Sequence, residues 1–314
     1  MTAKLHHWVS QGYLRGFGRA GDEDFVWAYD FKANKSFTPN TKNVGAEKDF
    51  NRVDIPDHAP DAIETAMAEF EGEAVSAIRV TASAAGHFPD DDKRTSILNL
   101  MALFAVRNPR FREVRRDFKA RISDHIMNTV LETPERYASQ IRQAKEAGFV
   151  EPDADESYER AKDFHQRKEY TIEVSRESQI AEEVKLHDDV LQTLGQRQWR
   201  LIRTTPEVGT FITCDHPVTL RSNREGVTRL GFGMRAADVL FPLTKSVFLI
   251  GKFDIEPQVI PATREMVAAL NTEIMLEAER QVYATDDAFP YFDVPTGAMM
   301  TGAQLTAASR GAED

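Results

Sequence analysis

The sequence has 314 residues, a net charge of −11, 41% hydrophobic residues and 28% charged residues, a composition typical of a globular protein with a sizeable core. The acidic balance argues against a DNA-binding protein whose surface is basic everywhere. The single cysteine, Cys214, excludes an internal disulfide and a zinc site built from several cysteines. No apolar run suits a membrane helix, and His6 and His7 stand where a signal peptide needs apolar residues. We therefore expect a soluble, cytoplasmic protein with no membrane contact.

The first forty residues predict a short helix followed by a β-hairpin. Val9, Tyr13 and Phe17 recur at a spacing of four, which predicts a helix over about 8–17 with one buried stripe. Ser10 is suited to cap its N-terminus. The aromatic and β-branched run at 25–31 is separated by turn residues from a second short run at 36–38, which predicts the hairpin.

From about residue 59 apolar residues recur every three or four positions, as they do in a helix. After residue 195 they recur at every second position, as they do in a strand. The helical section covers about 59–195, and one helix within it ends near Asn108 because the residue before Pro109 avoids the α region. The later pattern predicts strands at 199–203, 210–213, 218–220, 239–241, 247–250 and 281–284, and a helix at about 263–278. The prediction is an α+β fold, in which a large helical middle section separates the hairpin from a C-terminal antiparallel or mixed sheet. We expect hairpin and sheet to pack together in one domain over residues 1–290, followed by a mostly flexible tail at 291–314.

Short motifs along the chain are similar to those of one bacterial family. They are His6, His7, Val9, Gln11, Tyr13 and Leu14; Ala-Glu-Lys-Asp-Phe at 46–50; Arg107-Asn108-Pro109; the turn at 211–217; Phe241-Pro242-Leu243; and Asn271. In this order, over about residues 5–285, they resemble the uncharacterised DUF4238 family. Three positions depart from the family pattern: Ser10 replaces proline, Cys214 replaces serine and His216 replaces asparagine. The last two lie inside the candidate site, so the resemblance does not support a nucleophile or ligand role for them, and it carries no established activity.

His6 and His7 are the first candidate site residues. On a strand or a helix two adjacent side chains point in different directions, so at most one of them faces a site. A histidine before a helix N-terminus could bind phosphate or act as a general acid or base, because its unperturbed pKa is about 6.5. Gln11 lies on the first turn of the predicted helix and joins them as a candidate catalytic residue. The alternative is that these side chains cap local structure or belong to a polar core.

The turn at 214–217 is the second candidate. Asp215 is either a turn carboxylate that binds backbone N–H groups or a metal or acid–base group. A cysteine hydrolase that uses Cys214 needs a nearby base, and such a base does not usually come from the sequence position of His216.

Two further carboxylates could complete a metal site. Glu47 and Asp49 share a face on an extended chain. Together with His7, Asp215 and His216 they would suit Mg²⁺ or Mn²⁺, hard ions that prefer oxygen ligands. The alternative is a solvated loop.

A basic segment at 107–121 is the last candidate. It carries seven cations against two acids, an excess of five: Arg107, Arg110, Arg112, Arg115, Arg116, Lys119 and Arg121 against Glu113 and Asp117. Guanidinium forks suit phosphate, so this helix could bind a nucleic acid or a nucleotide, or it could pair with the acid-rich helices over 156–189. Arg107 lies at the C-terminal end of an apolar helix. We expect it to point inward, either paired with a carboxylate such as Glu47 or Asp215 or reaching the site.

The favoured hypothesis is a metal-dependent phosphodiester hydrolase, a nuclease with a defence or toxin-like role. One of His6 and His7, with Asp215 and Glu47 or Asp49, would hold the metal or activate water, while Arg107 and the basic helix would hold phosphate. The alternatives are a non-catalytic sensor or partner-binding module whose polar motifs are structural, and a cysteine hydrolase.

Overall fold

The computed structural model describes residues 5–48, 50, 62–151, 153–154, 157–168, 170–171 and 175–305, and for 62–64 and 66 the backbone only. The chain forms two compact units, one from residues 1–109 with 180–314 and the other from residues 110–179. A single domain over 1–290 stays a prediction, because the compactness of each unit does not say whether the two fold together.

The first unit contains both helices and strands, whereas the described secondary structure of the second unit is helical. The helices are α1 (Gln11–Leu14), α2 (Ala62–Ser83), α3 (Asp91–Val106), α4 (Pro109–Val130), α5 (Pro134–Glu146), α6 (Tyr158–Arg167), α7 (Arg176–Gly195) and α8 (Arg264–Glu277). The strands are β1 (Leu5–His7), β2 (Trp27–Asp30), β3 (Lys35–Phe37), β4 (Ala46–Lys48), β5 (Gln198–Arg203), β6 (Thr213–Cys214), β7 (Thr219–Ser222), β8 (Ala237–Thr244), β9 (Val247–Lys252), β10 (Gln258–Pro261), β11 (Gln281–Ala284), β12 (Pro290–Phe292) and β13 (Met299–Thr301). The predicted α+β fold is confirmed. None of these described helices is long and apolar enough to cross a membrane.

The predicted hairpin forms and becomes part of a larger sheet. Strands β2 and β3 pair antiparallel, and the sheet continues through β11 to β6. A five-stranded sheet has the order β10-β5-β9-β8-β7, antiparallel except for the parallel pair β10–β5. Hairpin and C-terminal strands therefore come together by sharing one sheet.

Strand β8 lies between β9 and β7 in the five-stranded sheet, and all eight of its residues are buried. It contains Pro242, which cannot donate a backbone hydrogen bond to the sheet. The register of β8 against β9 shifts between Pro242 and Thr244, so a β-bulge accommodates the proline.

The N-terminal segment is a short α-helix followed by a 3₁₀ turn at Arg15–Phe17. Ser10 caps it as predicted, because its side chain accepts a hydrogen bond from the backbone N–H of Tyr13. Val9, Tyr13 and Phe17 are all buried in the main core, which confirms the stripe.

Helix α3 lies at the centre of the main core. Its residues from Ile97 to Val106 are buried, apart from Asn99. Asp90 caps its N-terminus by accepting a hydrogen bond from the N–H of Lys93. A helix that is apolar on every side is buried on every side, so α3 is enclosed by its neighbours.

Strands β10, β12 and β13 are among those that the sequence did not predict. Strand β10 extends the five-stranded sheet beyond β5. Strands β12 and β13 pair antiparallel in the segment assigned to a flexible tail, and Tyr291 is buried. These two strands place regular structure within that segment, and a mostly flexible tail over 291–314 stays a prediction. Strand β10 joins the edge of an existing sheet, whereas β12 and β13 form a two-stranded sheet with each other.

The second unit consists of α4, α5, α6 and their connections. His165 is buried there, with Nε2 3.0 Å from Asn128 Oδ1 and Nδ1 2.6 Å from the Tyr170 hydroxyl.

Candidate functional site

Tyr13 connects the N-terminal motif to the strands of the C-terminal half. Its hydroxyl donates to the Pro242 carbonyl at 2.6 Å and lies 2.9 Å from Thr213 Oγ1, so the threonine donates to the tyrosine oxygen. Its ring stacks on Phe241 and meets Phe104 edge-on. Burial raises the pKa of Tyr13 well above its ordinary value, although the Thr213 bond lowers it. The phenol therefore stays neutral and anchors the core.

Asp215 is a turn carboxylate in the structure. Its Oδ1 accepts the backbone N–H of Glu279 at 2.9 Å, and its Oδ2 accepts those of Arg280 and Gln281 at 2.8 and 3.0 Å. Burial raises the pKa of Asp215, and the three N–H groups act in the opposite direction. An ionised carboxylate has roughly four acceptor positions, so backbone groups occupy most of them. The side chain fixes the turn between α8 and β11.

The N-terminal histidines lie on a separate two-stranded antiparallel sheet near this turn. Strand β1 pairs with β4 so that His6 is opposite Glu47 and His7 is opposite Ala46. His6 is buried, His7 is half-buried and Glu47 is exposed. The Trp8 Nε1 group donates to the carbonyl of Asp215 at 3.2 Å, which brings the two motifs together.

The predicted metal ligands do not form a cluster in the part of the chain that the structure describes. There, no three His, Cys, Asp or Glu side chains are placed to hold one ion. Asp49 lies outside the described residues.

The backbone N–H of His216 donates to Cys214 Sγ, and Cys214 itself is fully buried. Gln11 is half-buried at the start of α1.

Asn271 fastens α8 to two neighbouring segments. Its Oδ1 accepts the N–H of Ile212, and its Nδ2 donates to the carbonyls of Thr210 and Pro290, at 2.9–3.1 Å. The residue is completely buried. These bonds satisfy backbone groups that a sheet would otherwise pair, which makes Asn271 a structural amide.

Arg107 is buried as expected, but its partner is different. The guanidinium is 3% exposed, and its Nη2 donates to Glu71 Oε1 at 2.7 Å. The carboxylate is that of Glu71 rather than Glu47 or Asp215, the two examples considered, because α2 packs against α3. Its Nε and Nη1 are buried and, among the described residues, reach no hydrogen-bond acceptor.

Arg107 lines a cavity of about 270 Å³ that sequence reasoning missed. The lining comes from α2 (Met67, Phe70), the end of α3 (Leu103, Val106, Arg107) and α7 (Ile180, Glu183, Val184, His187, Asp188). Each helix contributes residues three or four apart, so each presents one face. Val184 and Asp188 are largely exposed and mark the mouth. The one feature of the sequence that could have indicated this cavity is an arginine at the end of an apolar helix.

The remaining predicted phosphate ligands all lie on α4, which belongs mainly to the second unit. Arg110 and Arg116 are exposed, while Arg112, Arg115 and Lys119 are half-buried. Arg116 pairs with Glu113 at 3.6 Å, and the Arg115 guanidinium lies 5.4 Å from the Phe111 ring centre. The predicted basic helix thus exists, and its phosphate binding stays a prediction.

Comparison with known proteins gives one match. A family model described as "Protein of unknown function (DUF4238)" matches residues 5–288. No curated protein and no solved structure matches the chain. The matched region includes Tyr13, Asp215 and Asn271, which we call the motif cluster, and the whole lining of the cavity. The chain therefore belongs to the DUF4238 family, whose function is unknown.

Proposed function

We propose that this protein is a non-catalytic sensor module that binds a small molecule in the cavity between α2, α3 and α7. The observation that carries the proposal is the half-satisfied guanidinium of Arg107 in an otherwise mainly apolar lining. An apolar pocket with a few polar groups is the usual form of a small-molecule site.

The motif cluster supports a structural role for the residues that looked catalytic. Asp215 binds three backbone N–H groups, and Asn271 binds three backbone groups. Tyr13 is neutral and enclosed by aromatic rings. A catalytic group needs an open approach to substrate and free donor or acceptor positions, whereas these side chains are buried and most of their hydrogen-bonding positions are occupied.

The size of the cavity fits a small ligand. Its volume is about 270 Å³. Engineered apolar cavities of ~150 Å³ already bind benzene. A molecule of about nine non-hydrogen atoms or slightly more would fill this one.

Isopropylbenzene, an apolar probe of suitable size, tests the proposal by titration calorimetry. We expect saturable binding to the wild-type protein and loss of binding in Val184→Trp, which places an indole at the mouth. Val294→Trp is the matched control, because Val294 is similarly exposed and lies outside the cavity lining. Equal binding by wild type and Val184→Trp, or no binding to wild type, would refute the proposal.

A metal-dependent phosphodiester hydrolase, with Mg²⁺ or Mn²⁺ and a nucleic-acid substrate, is the second candidate. The bond from Trp8 to Asp215 favours it, because it brings the histidine motif beside that carboxylate. Titration of Mn²⁺ into wild type and a folded His7→Ala variant tests it. Binding that disappears in the variant supports this candidate, and absence of binding argues against it. The cysteine hydrolase receives no such support, since Cys214 is enclosed in the core.

A further inference from the structure

We infer that the ligand of this cavity is a neutral molecule with an apolar body and a carbonyl-type oxygen, which accepts a hydrogen bond from Arg107. This inference rests on the proposed function, since it names the ligand class for the same cavity. It follows from three features of the site: the unused donors, the existing charge balance and the apolar walls.

The unused donors require an acceptor. Arginine has five N–H groups and stays charged at any ordinary pH. In Arg107 one nitrogen, Nη2, donates to Glu71, while Nε and Nη1 are buried without an acceptor in the described part of the chain. Buried donors without partners destabilise a folded protein. Neither nitrogen is accessible to solvent in this structure, so a ligand oxygen reaches one of them through a small shift of the Arg107 side chain and then gains a hydrogen bond to a charged donor.

The charge balance favours a neutral acceptor. The Arg107 charge is already matched by Glu71 at 2.7 Å, and both groups are largely buried. A ligand carboxylate would place a second anion beside one cation in a medium of low dielectric constant, where repulsion is strong. The other ionisable lining residues include two acids, Glu183 and Asp188. A carbonyl oxygen accepts the same hydrogen bond and adds no charge.

The apolar walls determine the rest of the ligand. Leu103 and Val106 are almost fully buried at the base, and Phe70 adds an aromatic surface. A ligand that is polar throughout would lose its hydration there without compensation. The apolar body and the single acceptor are thus both set by the lining.

Three probes of nearly equal size separate these features. Isopropylbenzene has no acceptor, acetophenone carries a neutral carbonyl and benzoate carries a charge at neutral pH. We expect acetophenone to bind wild type at least tenfold more tightly than isopropylbenzene, which is about 1.4 kcal/mol. Benzoate should bind more weakly than acetophenone. Val184→Trp should abolish binding of all three, which assigns the binding to this cavity.

Glu71→Gln provides a second test that does not depend on removing Arg107. The substitution keeps the shape of the side chain and removes the carboxylate that pairs directly with Arg107, so the charge of the guanidinium is balanced less closely. We expect benzoate affinity to rise at least tenfold in this variant, while acetophenone affinity changes by less than about threefold. An unchanged benzoate affinity would overturn the charge argument.

The outcomes distinguish the inference from the proposed function. If acetophenone and isopropylbenzene bind equally, the cavity binds apolar molecules and the acceptor inference is wrong. If benzoate is the tightest ligand of the wild type, the site is an anion site and the inference is also wrong. If no probe binds, both the proposed function and the inference fail.

Discussion

Asp215→Ala is the substitution that best separates a structural from a catalytic Asp215. It removes the acceptors of three backbone N–H groups, those of Glu279, Arg280 and Gln281. An unsatisfied buried donor costs about 1–3 kcal/mol. The side chains of Glu279 and Arg280 are exposed, so water can reach part of the turn and the lower value applies to each bond. We expect the free energy of unfolding to fall by about 3 kcal/mol.

Urea unfolding followed by tryptophan fluorescence measures this loss. The bond from Trp8 to Asp215 uses the backbone carbonyl, so the substitution leaves it in place. Asp286→Ala is the matched control, because Asp286 accepts a single backbone N–H, that of Ala288, at an exposed turn. It should cost less than about 1 kcal/mol. A similarly small loss in Asp215→Ala would refute the structural role and return Asp215 to the candidate site residues.

Two further substitutions test the sheet and the loop before β6. Burial raises the pKa of Asp238, but the hydrogen bonds and charges around it, led by Lys252, outweigh burial and hold the pKa below its ordinary value of 3.8. Its stabilisation is therefore present above pH 3.8 and lost as the pH falls through the lower folded-state value. Asp238→Asn should lower the free energy of unfolding, measured with urea at pH 7, by about 2 kcal/mol. The difference in this free energy between variant and wild type should become smaller in acid. A difference that is independent of pH would contradict this account. Gly209→Ala should lower the unfolding temperature, because Gly209 has a φ of +135° and a Cβ there would lie 2.9 Å from a Pro290 carbon. Gly72→Ala is its control, on an open helix surface where alanine should stabilise slightly; similar shifts in both variants would contradict the strain argument.

Local features of the fold were predictable because they depend on neighbouring residues. Ser10 caps the N-terminal helix, since the capping bond spans three residues. The break at Asn108 and Pro109 separates α3 from α4 because proline restricts the residue before it. The hairpin of β2 and β3 needs only one turn between two short strands. In each case the sequence contains both partners within a few residues.

The candidate site was less predictable, because its partners are distant in the sequence. Asp215 binds groups more than sixty residues away, and Arg107 pairs with Glu71 thirty-six residues earlier. Residue types alone made Asp215 equally compatible with a metal ligand and with a turn carboxylate. The choice depends on the position of α8 and β11, which composition and spacing do not determine. The cavity was missed for the same reason, since three helices contribute to it.

Helix α3 links the motif cluster to the cavity and explains how motif residues can be essential without taking part in chemistry. Phe104 packs against the ring of Tyr13, which is held by Thr213 and Pro242. One position away along the helix, Leu103 lines the cavity. Loss of the Tyr13 anchor would therefore loosen the helix that forms one cavity wall, with no direct contact to a ligand. On this account, variants in the motif cluster should weaken ligand binding in proportion to their loss of stability, whereas Val184→Trp should abolish binding at unchanged stability.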